Sequence, residues 1–167
     1  MGRIVNSYQG LGGLVASSAK FRTIVGAANA TAALDDIHYP YPNVTYDDDG
    51  NPTGDVRPWA IIDGGTGTEW EEQIRLSAGG SLMLTIEVPE SYYSGYSTDK
   101  AKWLAFAGDV DDIMDQMETN SNTSKGDGSN YWNLTAISQA ESPYLIQEQA
   151  GDPAGQYFTC AILCRWV

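Results

Sequence analysis

The stretch GGSLMLTIEVP, residues 79–89, decides how this chain is read. Leu82, Leu84, Ile86 and Val88 alternate with Ser81, Met83, Thr85 and Glu87, which gives an extended strand one apolar face and one mixed face. Gly79 and Gly80 open the run and Pro89 closes it, as strand breakers do. Such a strand packs its apolar face under a cover. Its other face is left for water, a site or a second copy.

Upstream, PWAIID at 58–63 and TEWEEQIRLS at 68–77 read as two more strands, joined by Gly-rich links into an antiparallel meander with 81–88. Downstream the period changes. In STDKAKWLAFAGDVDDIMDQMETN, residues 97–120, Trp103, Phe106, Val110, Ile113, Met114 and Met117 form one helical stripe, with Asp109, Asp111, Asp112 and Asp115 largely away from it. Ser97 or Thr98 is a suitable cap, and Gly108 costs about 1 kcal/mol relative to alanine, so a kink or a close contact is expected there. The stripe is the expected cover for Leu82, Leu84, Ile86 and Val88.

Residues 4–34 read as an interrupted helical region, with Leu11, Leu14, Val15, Ser18, Phe21 and Val25 on one face and Gly26 as a stop. The segment 131–146 supplies a strand broken near Pro143. The last strand, YFTCAILCRWV at 157–167, places Phe158, Cys160, Ile162, Cys164 and Trp166 on one face, with Tyr157, Thr159, Ala161, Leu163 and Val167 on the other beside Arg165. Being apolar on both faces, it is either central in the sheet or covered by a partner. The expected fold class is α+β: an antiparallel or mixed sheet of about five strands with two main helices packed on one face. A single domain, 1–167, carries a turn-rich segment at 35–57 and a polar loop at 119–130 as insertions.

Composition narrows function. Twenty-two acidic residues against nine basic ones give a formal net charge of −13, and only Lys20, Lys100, Lys102 and Lys125 among the cations are lysines. Such a surface repels duplex DNA, and it suits concentrated salt, where self-repulsion is screened. No apolar run approaches the roughly 18 residues of a membrane span, so no membrane is expected. The first residues do not read as a signal peptide, and the N-x-S/T matches at Asn29, Asn43, Asn122 and Asn133 carry little weight without one.

Candidate chemistry is sparse. His38 is the only histidine and stands in a turn-rich context, HYPYPNVTYDDDGNPTGDVRP at 38–58. No nucleophile elbow, zinc-protease pair or phosphate loop occurs. Asp111 and Asp115 stand one helical turn apart with Asp112 nearby, a geometry that can touch a hard cation, although a solvated helix face explains them better. YDDDGN at 46–51 matches part of a calcium loop and lacks its distal glutamate. Cys160 and Cys164 fall on one face, about 13 Å apart in a regular strand, too far for a disulfide and better read as buried thiols. Tyr92, Tyr93 and Tyr96, with Trp132, suit a protein contact, a core edge or a sugar platform. No catalytic, cofactor or metal residue is assigned.

RPWAIIDGG, TEWEEQIRLSAGGSLMLTIEVP, GDVDDIMDQM and YFTCAILCRWV, in that order, give a layout that resembles the tail terminator (tail completion) proteins of long-tailed viruses of bacteria and archaea. It is a resemblance of layout over about residues 5–167, without a diagnostic motif. It implies a mixed α/β structural protein of the virion tail, assembled in the host cytoplasm as a hexameric ring. That ring ends tail-tube growth, contacts the tube protein and the head–tail connector protein, and lets DNA pass without specific binding. It implies no catalytic residue. The residues themselves leave other readings open: a tail tube subunit, which needs a long hairpin; a head–tail connector component; a carbohydrate- or protein-binding module; and an enzyme using acids alone around Asp111 or Asp115.

Overall fold

A computed structural model describes residues 3–51, 53–64, 80–121, 134–147 and 155–166. The chain begins with α1 (Arg3–Ser17), α2 (Ala19–Val25) and α3 (Ala30–Ala33), followed by a 3-10 turn at Leu34–Asp36. Next come β1 (Ile37–His38), β2 (Trp59–Asp63) and β3 (Gly80–Pro89), a second 3-10 turn at Glu90–Tyr93, and the long helix α4 (Asp99–Ser121). The strands β4 (Leu134–Gln139), β5 (Tyr144–Ile146) and β6 (Tyr157–Trp166) follow. The class is α+β, with helices packed against a six-stranded mixed sheet.

Strand order is β1-β2-β3-β6-β4, with β5 pairing β6 further along the same edge as β4. Among the described residues only β1 and β2 pair in parallel. The last strand is therefore central, which resolves its two-sided apolar pattern. Phe158, Cys160, Ile162 and Cys164 are buried on the helix side, while Ala161 and Leu163 are half-buried on the other. The run around Pro143 is two short strands because the amides of Ala140 and Glu141 both donate to the Ala161 carbonyl, at 2.8 and 3.3 Å. That bulge consumes the register between β4 and β5. The strand expected at 68–77, and with it the full meander, lies outside the described residues.

Leu82, Leu84, Ile86 and Val88 are buried in one core with Phe106, Val110, Ile113 and Met117, joined by Leu11, Val15, Phe21 and Ile62. α4 reaches this core by lying against α1 and α2 and over β4 and β6, so its stripe meets the apolar strand from the side of β6. One expected stripe member departs: Trp103 is 37% exposed and donates its indole N–H to the Pro143 carbonyl at 2.6 Å. Tyr93, Phe106 and Phe158 close one end of the core as a ring cluster, with the two phenylalanines stacked at 5.3 Å.

The first helical face also changes at one position. Ser18 ends α1, and its hydroxyl accepts from the Phe21 amide at 3.1 Å to cap α2. On α2 Ile24 is buried, and the expected Val25 is partly buried against the core beside it. Gln116 of α4 fixes the joint, its side-chain carbonyl accepting from the Ser18 hydroxyl and the Lys20 amide, both at 2.9 Å. Gly26 closes α2 in the left-handed conformation, φ 73°. Residues 119–121, expected in the polar loop, are instead the last turn of α4, where Asn120 donates to the Ser17 carbonyl and hydroxyl at 3.2 and 2.8 Å.

Candidate functional site

All but one of the residues singled out for chemistry have an identifiable setting. His38 sits at the sheet edge, its Nδ1 3.4 Å from Asp55 Oδ2 and its ring edge-on to Trp59 at 5.6 Å. Asp111, Asp112 and Asp115 are exposed, and Asp112 pairs with Lys20 at 3.3 Å. Asp109, expected to face away from the stripe, points to the helix joint instead. It pairs with Lys20 at 3.0 Å and accepts from Tyr93 Oη at 2.9 Å. These partners keep Lys20 charged above the usual lysine range, chiefly through the Asp109 hydrogen bond. Burial foremost, then the neighbouring Asp109, pushes the Tyr93 phenol far above its ordinary value. Among the described residues no three His, Cys, Asp or Glu side chains are grouped to hold a metal ion.

Cys160 and Cys164 are free, buried and inward-facing. Burial raises their thiols to about 11 and about 12 respectively, so at neutral pH both are inert neutral groups. The tyrosine cluster is divided: Tyr93 is core, while Tyr92 and Tyr96 are exposed. Trp132 lies outside the described residues.

The surface holds two features that sequence reading did not resolve. The first is an arm built from the turn-rich segment. Asp55 and Thr53 amides donate to the Asn43 and Thr45 carbonyls at 2.9 and 2.8 Å, and the Asp47 amide donates to Asn51 O at 2.9 Å. This is the register of two antiparallel legs. At the tip, Asp47 Oδ1 accepts from the Asp49 and Asn51 amides at 3.0 and 2.8 Å, and Gly50 supplies φ 82°. The Asn51 side chain first, and these amides after it, hold the Asp47 carboxyl below its usual range. Gly54 is needed because a Cβ there would run into the Asn43 carbonyl.

Polar groups secure the arm's root. Asp55 Oδ2, already near His38, accepts from the Asn43 amide at 2.6 Å. Arg57 Nε and Trp59 Nε1 both donate to Glu87 Oε2, at 2.7 and 2.8 Å. The Arg57 guanidinium lies 4.6 Å from the centre of the Trp59 ring and 3.5 Å from that of Tyr157. The arm itself projects: Tyr41 is 82% exposed, and Val44, Tyr46 and Val56 are also open to solvent.

The second feature is an apolar patch around the start of α4. Leu104 is 53% exposed, beside the partly exposed Trp103. Tyr144 of β5 is exposed next to Pro143, the residue that Trp103 holds. Tyr92 and Tyr96 are also exposed, on the preceding turn, which a Lys102–Glu90 ion pair ties to the helix. No helix among the described residues is long and apolar enough to cross a membrane. Comparisons with protein-family models, with curated proteins and with solved structures give no match.

Proposed function

We propose that this protein is a structural component of a virion tail. It forms a ring at the head-proximal end, ends tube growth and joins the tube protein to the head–tail connector. The observation that carries the reading is the apolar side chain left in solvent on a well-filled fold: Tyr41, Tyr46 and Val56 on the arm, Tyr96, Leu104 and Tyr144 on the body. A core this complete does not need those residues for stability, whereas exposed aromatic and apolar side chains are what an assembly contact uses. The order of elements, resembling tail terminators, supplies the virion role, and the acidic surface lets DNA pass a lumen without sticking. Native mass measurement and negative-stain imaging in molar salt test this. Six-membered rings are expected, and a strict monomer at high concentration would overturn the reading.

One observation favours a second reading, the tail tube subunit. Such a subunit stacks ring on ring through a hairpin, and the paired legs at 43–55 are one. Imaging separates the two: open-ended tubes of the purified protein point to the tube subunit, isolated rings to the terminator.

A further inference from the structure

The arm is held to the body at two places of unequal strength. Its second leg runs into β2 through the polar root, where Arg57 and Trp59 share the Glu87 carboxylate. Its first leg leaves β1 through Tyr39, whose ring reaches back over α1. There Tyr39 meets Tyr8 edge-on, with ring centres 5.8 Å apart, and its hydroxyl fills the space where a Cβ of Gly12 would stand. Gly12 is buried in the interior of α1, a position where glycine weakens a helix. Its neighbour Gly13 differs, because a Cβ there would meet nothing within 4 Å. Of these two adjacent glycines, it is Gly12 that makes room for another side chain.

We propose that Tyr39 seated on Gly12 is a releasable catch for the arm. Seated, the ring fixes the angle at which the arm leaves the body. Unseated, it lets the paired legs swing together about the root at 55–59.

Three observations make the catch the weaker of the two attachments. Tyr39 is 42% exposed and its hydroxyl makes no hydrogen bond among the described residues, so release gives up packing alone. The root, by contrast, holds an ion pair and an indole hydrogen bond on one carboxylate. The legs are tied to each other by backbone pairs and by the Asn43–Asp55 hydrogen bond, so they stay together when the ring lifts. Tyr39 also stands outside the core cluster, which keeps its release a local opening and not the start of unfolding. With the catch closed, Tyr41, Val44 and Tyr46 are presented in one direction, and any contact they make costs less in ordering the arm. None of this depends on a virion role.

Spin labels on Asp48→Cys at the arm tip and Asp115→Cys on α4 test the proposal by pulsed electron resonance. Both positions are exposed, and the native thiols are buried away from the label. Labelled chains are diluted into unlabelled protein so that distances within one chain are read. The parent should give one narrow distance. Gly12→Ala and Tyr39→Ala should each replace it with a broad distribution, while Gly13→Ala should keep it narrow. Melting separates the catch from helix propensity. Gly13→Ala should gain about 2–4 °C, and Gly12→Ala should gain as much once Tyr39→Ala has removed the opposing ring. A broad distance in the parent, a narrow one in Gly12→Ala or Tyr39→Ala, or equal broadening by Gly13→Ala would overturn the catch.

Discussion

At the residue scale, the burial of single groups decides what each can do. Cys160 and Cys164 titrate higher in the fold than the ordinary thiol value of 9.0, at about 11 and about 12. A group that is neutral when protonated and has a raised folded pKa stabilises fully below its unfolded pKa. That contribution is lost as pH rises toward the folded value. Stability should therefore fall from about pH 9 upward, and a Cys160→Ala, Cys164→Ala protein should lose less of its own stability over that range in urea titrations. Gly108 is a second case. It lies inside α4, and a Cβ there would meet nothing within 4 Å, so no close contact requires it. Gly108→Ala should stabilise by about 1 kcal/mol, read as a higher urea midpoint at unchanged slope.

At the element scale, β3 and the arm are opposites. Leu84 is fully buried between β2 and β6, paired with Ile62 and Ile162. Leu84→Ala should cost about 2–5 kcal/mol of global stability in chemical denaturation, since a strand held on both sides cannot collapse around the cavity. The arm holds its shape through backbone pairing and a turn, with little burial of its own. Gly54→Ala should thus unpair the legs while the body keeps its melting temperature. Hydrogen exchange by mass spectrometry should show faster exchange at 43–55 with unchanged protection in β3 and β6.

At the scale of the whole molecule, charge opposes the contact that apolar surface favours. Each copy carries a formal −13, so assembly brings like-charged bodies together. Screening lengths fall from about 10 Å at 0.1 M salt to about 3 Å at 1 M, so association should strengthen over that range. Light scattering against salt concentration checks this, and larger particles at low salt than at high salt would contradict it.

Sequence by itself determined the alternating strand at 79–89, the stripe of α4, the two-sided terminal strand and the acidic surface. Each is written in local periodicity or composition, which needs no knowledge of neighbours. Only the tertiary structure decided the rest. β6 is central because β4 and β5 return to its free edge, a long-range pairing that no local pattern encodes. Trp103 leaves the core because Pro143, forty residues on, offers it a carbonyl. The joint at Ser18 is set in part by Gln116 of a distant helix. The segment at 38–58 showed its turns, but the arm needed its root: Asp55 meets His38, and Arg57 meets Glu87 and Tyr157, across separations only folding closes. Local spacing fixes which face of an element is apolar, and tertiary packing fixes which of those faces stays open to another molecule.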